Sequence, residues 1–128
     1  MRIGDIYKIP MDEKDGITPK GGKYRDKLII ILGVDSKNEY VGVVVANSNI
    51  NLLWDDFNFQ YELKHEKYKK GLVKDSYVDC SILYSVDQNR ITGKELDTID
   101  LVDYEAIVNK IRKRPDITKR TLKNFNLL

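Results

Sequence analysis

Residues 21–32 read GGKYRDKLIIIL, and the second half of that stretch decides the fold class. Leu28, Ile29, Ile30, Ile31 and Leu32 follow one another without a charge and are closed by Gly33. An apolar run this short, rich in β-branched residues and bounded by glycine, has the pattern of a strand buried on both faces; a helix needs more length. Upstream, residues 14–23 carry Asp15-Gly16, Pro19 and Gly21-Gly22. These residues supply positive φ and rigid turns and disfavour a regular element. The segment is expected to be a long loop, and long loops in small domains commonly carry function. Arg25 stands where this loop becomes strand.

Downstream, Asp35-Ser36-Lys37-Asn38-Glu39 is a polar connection with strand signals on both sides, so residues 40–46, YVGVVVA, are expected to return as a hairpin partner. Gly42 marks a bulge or a close packing contact in that strand. Asn47-Ser48-Asn49 ends it with small polar residues that suit a turn and put a hydroxyl at the sheet rim. Before the loop, Ile3, Ile6, Tyr7 and Ile9 are expected to form a first, edge or terminal strand that Pro10 ends. After it, residues 59–63 and 77–86 read as further strands, the second bent near Ser81. Trp54 either covers a core edge or stands exposed as a contact residue.

From Asp100 the period changes to helical. Leu101, Tyr104, Ile107, Val108 and Ile111 fall on one face, Asp100 suits the N-cap, and Pro115 closes the segment. Residues 118–125 are expected to add a short docked helix with Leu122 and Phe125 inward. The architecture is therefore a small, mostly antiparallel barrel over about residues 1–98, followed by a helical segment at about 100–126.

The chain has 128 residues, enough for one domain with a core that needs no staples. Its single cysteine, Cys80, excludes an intrachain disulfide and fits a reducing compartment. Neither a secretory leader nor an apolar run long enough to span a membrane appears, so a cytoplasmic protein without membrane attachment is expected. The formal charge of +2 is uneven: residues 110–128 hold seven basic side chains against Asp116, a net +6 that leaves the remainder at −4. Such a tail can attract phosphate, and cations equally suit a helix C-terminus.

The chain lacks a phosphate-binding glycine loop, a Gly-x-Ser-x-Gly elbow and an HExxH pair, so nucleotide- and metal-dependent chemistry is not expected and no cofactor is assigned. The lone His65 sits among lysines and reads as a solvated loop histidine. Cys80 reads as a small buried hydrophobe. Asp55-Asp56 and the Asp97/Asp100 pair read as solvation and capping.

The order of these segments resembles the MazF/PemK-type toxin family, the endoribonucleases of type II toxin–antitoxin pairs. Gly4-Asp5-Ile6 resembles that family's opening strand, and Arg25-Asp26-Lys27-Leu28-Ile29-Ile30 resembles its Arg-Pro-x-Leu-Val-Ile entry to the second strand, with Asp26 in place of Pro. Val44-Val45-Ala46-Asn47-Ser48 resembles the strand ending in Thr or Ser, and residues 78–91 its late strand with an Asp-x-x-Arg-Leu continuation. The resemblance implies an SH3-like small β-barrel with a C-terminal helix, usually a homodimer, that cleaves single-stranded RNA without metal and is inhibited by an acidic antitoxin protein.

Carried onto this chain, the resemblance implies Arg25 and Ser48 as catalytic residues. During cleavage by the neighbouring 2′-hydroxyl, negative charge grows on the phosphoryl oxygens; a guanidinium offers bidentate donors to them and a hydroxyl adds another. Arginine stays protonated at neutral pH, so Arg25 is cast as electrostatic stabiliser and the general base is left open. Lys20, Lys23, Lys64, Lys67, Lys69 and Lys70 are the expected RNA-backbone contacts. The rival reading is a non-catalytic SH3-like barrel that binds a peptide or nucleic acid through Tyr7, Tyr24, Tyr61 and Tyr68.

Overall fold

A computed structural model describes residues 1–17, 21–50 and 58–128. Lys20, Trp54 and the Asp55-Asp56 pair lie outside them. Six strands, β1 (Asp5–Met11), β2 (Arg25–Val34), β3 (Tyr40–Asn47), β4 (Gln60–Leu63), β5 (Ser76–Asp87) and β6 (Asp97–Thr98), form one antiparallel half-barrel sheet in the order β4-β5-β3-β2-β1-β6. Two helices follow, α1 (Leu101–Arg112) and α2 (Lys119–Asn124). This is the expected mainly β architecture with a C-terminal helix.

The apolar run behaves as its composition dictates. Ile29, Ile30, Ile31 and Leu32 are all fully buried. Alternate residues serve opposite cores: Ile30 and Leu32 join Val44, Val78, Cys80 and the α1 residues Ile107, Val108 and Ile111, whereas Ile29 and Ile31 join Tyr7, Ile9, Val43 and Val45. Each such side chain contributes about 2 kcal/mol of burial. The loop after β1 carries a short 3₁₀ turn, Glu13–Asp15, boxed by Asp12, and it buries Ile17 over the second core. Regular structure therefore intrudes where the glycines and Pro19 predicted a plain loop.

Three boundaries differ from expectation. Pro10 lies inside β1, paired with Asp26. Its carbonyl accepts from Arg90 Nη2 at 2.9 Å, outside the β1–β2 ladder. Its ring nitrogen faces the same way, toward an edge that the two-residue β6 leaves open, so no ladder bond is lost. Ile3 precedes the strand and is exposed, as is Leu101 at the first turn of α1. The remainder of the predicted helix face is buried or half-buried, with Asp100 accepting from the Asp103 N–H at 2.8 Å as N-cap. The pairing of β5 with β3 shifts between Val43 and Val45, and Ser81 lies in the irregular stretch of β5 between Asp79 and Tyr84.

Gly33 and Gly42 face each other across β2 and β3. A Cβ on Gly33 would come within 2.0 Å of the Phe125 carbonyl oxygen, and one on Gly42 within 2.9 Å of its ring. The pair makes a seat that only glycines leave open, and the segment after α2 fills it.

Candidate functional site

Register brings the start of β2 against the end of β3. Leu28 pairs with Ala46, and one step further Lys27 Nζ donates to Asn47 Oδ1 at 2.9 Å. A cavity of about 240 Å³ opens at this end of the sheet, bordered by Lys8, Arg25, Asp26, Lys27, Asn47, Ser48, Lys74 and Ser76. Arg25 and Ser48 thus border the same cavity although 23 positions separate them in sequence. Four cations line it against the carboxylate of Asp26, a formal +3. Converging cations of this kind attract a polyanion and focus its approach.

The pleat sorts these side chains. Arg25 and Lys27 are two residues apart and share a sheet face, whereas Asp26 between them belongs to the other. Arg25 is exposed and Lys27 half-buried. Burial first, then the charge of Arg25, holds the Lys27 ammonium below the usual lysine range, with Asp79 opposing. Ser48 and Asn49 lie exposed just past β3.

The other predicted RNA contacts are dispersed. Lys23 borders a neighbouring cavity of about 730 Å³ that also touches Asp26 and Arg90. There Arg90 grips Asp15 through both carboxylate oxygens, at 2.6 and 2.9 Å, which tethers the loop after β1 to the end of β5 and lowers the Asp15 carboxyl below its usual value. Lys64 is exposed and pairs with Glu62 at 2.9 Å. Lys69 and Lys70 are exposed. None of Lys64, Lys67, Lys69 and Lys70 borders the Arg25–Ser48 cavity; Lys8, Lys27 and Lys74 do. Lys27 stood inside the stretch that decides the fold, yet only the β2–β3 register brings it to Asn47.

Lys67 serves another purpose. Its ammonium lies 2.5 Å from Asp100 and 3.0 Å from Asp103, a buried carboxylate in the first turn of α1. Tyr61 donates to Asp103 Oδ1 at 2.5 Å, and Tyr68 donates to Oδ2. Burial pushes the Asp103 carboxyl up, but hydrogen bonds from Tyr61, Tyr68 and Lys67 outweigh it, and the net displacement is downward. Burial and the same bond push the Tyr61 hydroxyl up to about 12. Tyr68 is buried in this cluster and Tyr7 in the second core, so neither is available as a binding surface; Tyr24 is exposed.

Cys80 is buried, and desolvation pushes its thiol up to about 12, which keeps it inert. At the opposite end of β3 a cavity of about 670 Å³, bordered by Met1, Tyr40 and Gln88, holds none of the predicted site residues. Among the described residues no helix is long and apolar enough to cross a membrane.

A family model described as PemK-like, MazF-like toxin of type II toxin-antitoxin system matches residues 2–114. No curated protein matches the chain.

Proposed function

This chain belongs to the PemK-like, MazF-like toxins of type II toxin–antitoxin systems, and from that premise we propose that it is an endoribonuclease that cuts single-stranded RNA, without metal, at the cavity bordered by Arg25 and Ser48. The observation that carries the reading is the meeting of those two residues with Lys8, Lys27 and Lys74 around one concave, cationic opening. In cleavage by the adjacent 2′-hydroxyl, Arg25 offers two parallel N–H donors to the phosphoryl oxygens and Ser48 a further hydroxyl donor. These contacts strengthen as charge accumulates on phosphorus-bound oxygen. The rival reading, a barrel that binds without cutting, loses Tyr7 and Tyr68 to burial.

The protein acts in the cytoplasm as a homodimer under this proposal, and its inhibitor is an acidic antitoxin segment that folds across the cationic end and excludes RNA. Light scattering tests the dimer. Competition between an acidic peptide and labelled RNA tests the shared surface.

The decisive experiment incubates the purified protein with a long single-stranded RNA in EDTA, beside Arg25→Ala. Sequence-selective products from the wild type, lost in the variant, are expected. A folded wild type that leaves the RNA intact removes the enzyme reading in favour of binding alone.

A further inference from the structure

Lys27 combines three properties at the proposed site. It shares a sheet face with Arg25, it borders the cavity that Arg25 and Ser48 border, and Asn47 Oδ1 holds its Nζ at 2.9 Å. An ammonium carries three N–H donors. Asn47 takes one, and two are left for a ligand in the cavity. Among the described residues no carboxylate lies within ion-pair distance of Nζ. The charges that act on it are Arg25 on its own strand and Asp79 on β5; Lys8, Lys74 and Asp26 also border the cavity, Lys8 and Asp26 from the other sheet face. Asp79 is itself engaged by the backbone N–H and hydroxyl of Ser81.

We propose that Lys27 is the general acid of the cleavage, giving its Nζ proton to the 5′-oxygen that leaves phosphorus, with Asn47 fixing the ammonium in place. This assignment rests on the endoribonuclease reading above. The 2′-oxygen bonds to phosphorus and its proton passes to water. The P–O5′ bond breaks, its electron pair stays on O5′, and that oxygen takes the proton from Nζ. The products are a 2′,3′-cyclic phosphate and a 5′-hydroxyl, and the neutral amine is reprotonated from solvent. Arginine cannot fill this role because it does not release its proton at working pH. Lys27, displaced downward by burial and by Arg25, releases its proton more readily than an ordinary lysine.

The test uses a single-stranded oligoribonucleotide spanning a site that the wild type cuts. It is made in two forms, one ordinary and one with sulfur in place of the bridging 5′-oxygen. A thiolate is a far weaker base than an alkoxide and leaves without being protonated. Lys27→Ala and Lys27→Arg are expected to lose about 100- to 10,000-fold on the oxygen substrate and to cut the sulfur substrate almost as fast as the wild type. Arg25→Ala is expected to be slow on both.

Asn47→Asp sets a carboxylate beside Nζ, favours the protonated form, and is expected to move the alkaline limb of the pH–rate profile to higher pH. If Lys27→Ala does not fold, Lys27→Arg and Asn47→Asp decide the matter. Full activity of Lys27→Arg on the oxygen substrate, or equal losses on both substrates, overturns the assignment. A folded wild type that cuts neither form overturns the endoribonuclease reading itself, and the role of Lys27 with it.

Discussion

Two charge clusters in the molecule solve opposite problems. Around Asp103 one buried carboxylate is met by two tyrosine hydroxyls and the Lys67 ammonium, so the charge is enclosed and satisfied within the chain. Around Arg25, four cations gather on an open wall with one carboxylate among them, and among the described residues none of the four is in an ion pair. The first arrangement ties α1 to β4 and to the loop after it, and its consequence is stability. The second leaves like charges unneutralised, which the fold tolerates only where solvent or a polyanion can supply the missing counter-charge. The lysines of residues 64–70 look alike in sequence, and one of them belongs to the first kind.

Four measurements break or sharpen this contrast. The largest effect is expected from Arg25→Ala, with an RNA-cleavage rate lower by about 100- to 1,000-fold and an unchanged thermal midpoint; a lower midpoint would make Arg25 part of the scaffold. Asp103→Ala is expected to do the reverse, costing ~3 kcal/mol in denaturant unfolding because the buried Tyr68 hydroxyl and the half-buried Tyr61 hydroxyl lose a charged acceptor. Its RNA affinity at temperatures where it is folded should match the wild type.

The third effect is one of pH. The Asp103 carboxyl is lower in the folded than in the unfolded chain, so the unfolded state takes up protons first as pH falls. Its contribution is fully present above the ordinary aspartate value of about 4 and is lost as pH drops through the lowered folded value. Acid unfolding of Asp103→Asn should be correspondingly shallower in that window. The smallest effect separates two lysines. Lys74→Ala should reduce the salt slope of RNA binding by about 0.7, whereas Lys67→Ala should leave the slope alone and lower the unfolding midpoint.

Much of the scaffold was legible because its signals are local. Five consecutive apolar residues from Leu28 to Leu32 specify a two-faced strand whatever surrounds them, and Asp100 followed by the 3.6-residue period specifies α1 and its cap. Pro10 was misread because whether proline ends a strand depends on which neighbour lies on its nitrogen side, and a two-residue β6 is too short to announce where the edge begins. Leu101 was misread because periodicity gives a face but not how far the sheet beneath it extends.

At the site, Arg25 and Ser48 are reached through resemblance, whereas Lys8, Lys27 and Lys74 are not, since a lysine in a strand or in the bend before one looks the same whether it points at solvent or into a shared opening. The pairing of Asp103 with Tyr61 and Tyr68 spans 42 and 35 positions. No short spacing rule encodes contacts of that range.

The seat formed by Gly33 and Gly42 sets an order of events. The ring that fills it comes from Phe125, beyond the 2–114 span matched by the family model, and the neighbouring bond from Asn126 Nδ2 to the Val34 carbonyl closes a separation of 92 residues. Hairpin β2–β3 needs only a short loop to close, so it can be complete long before its seat is occupied. During synthesis the hairpin would leave the ribosome with two glycines facing an unfilled gap, and the segment after α2 would arrive later as a latch. Pulse-labelling hydrogen exchange should then find the amides of the β2–β3 hairpin protected ahead of those around Phe125, and the latch should be the first part of the molecule to open.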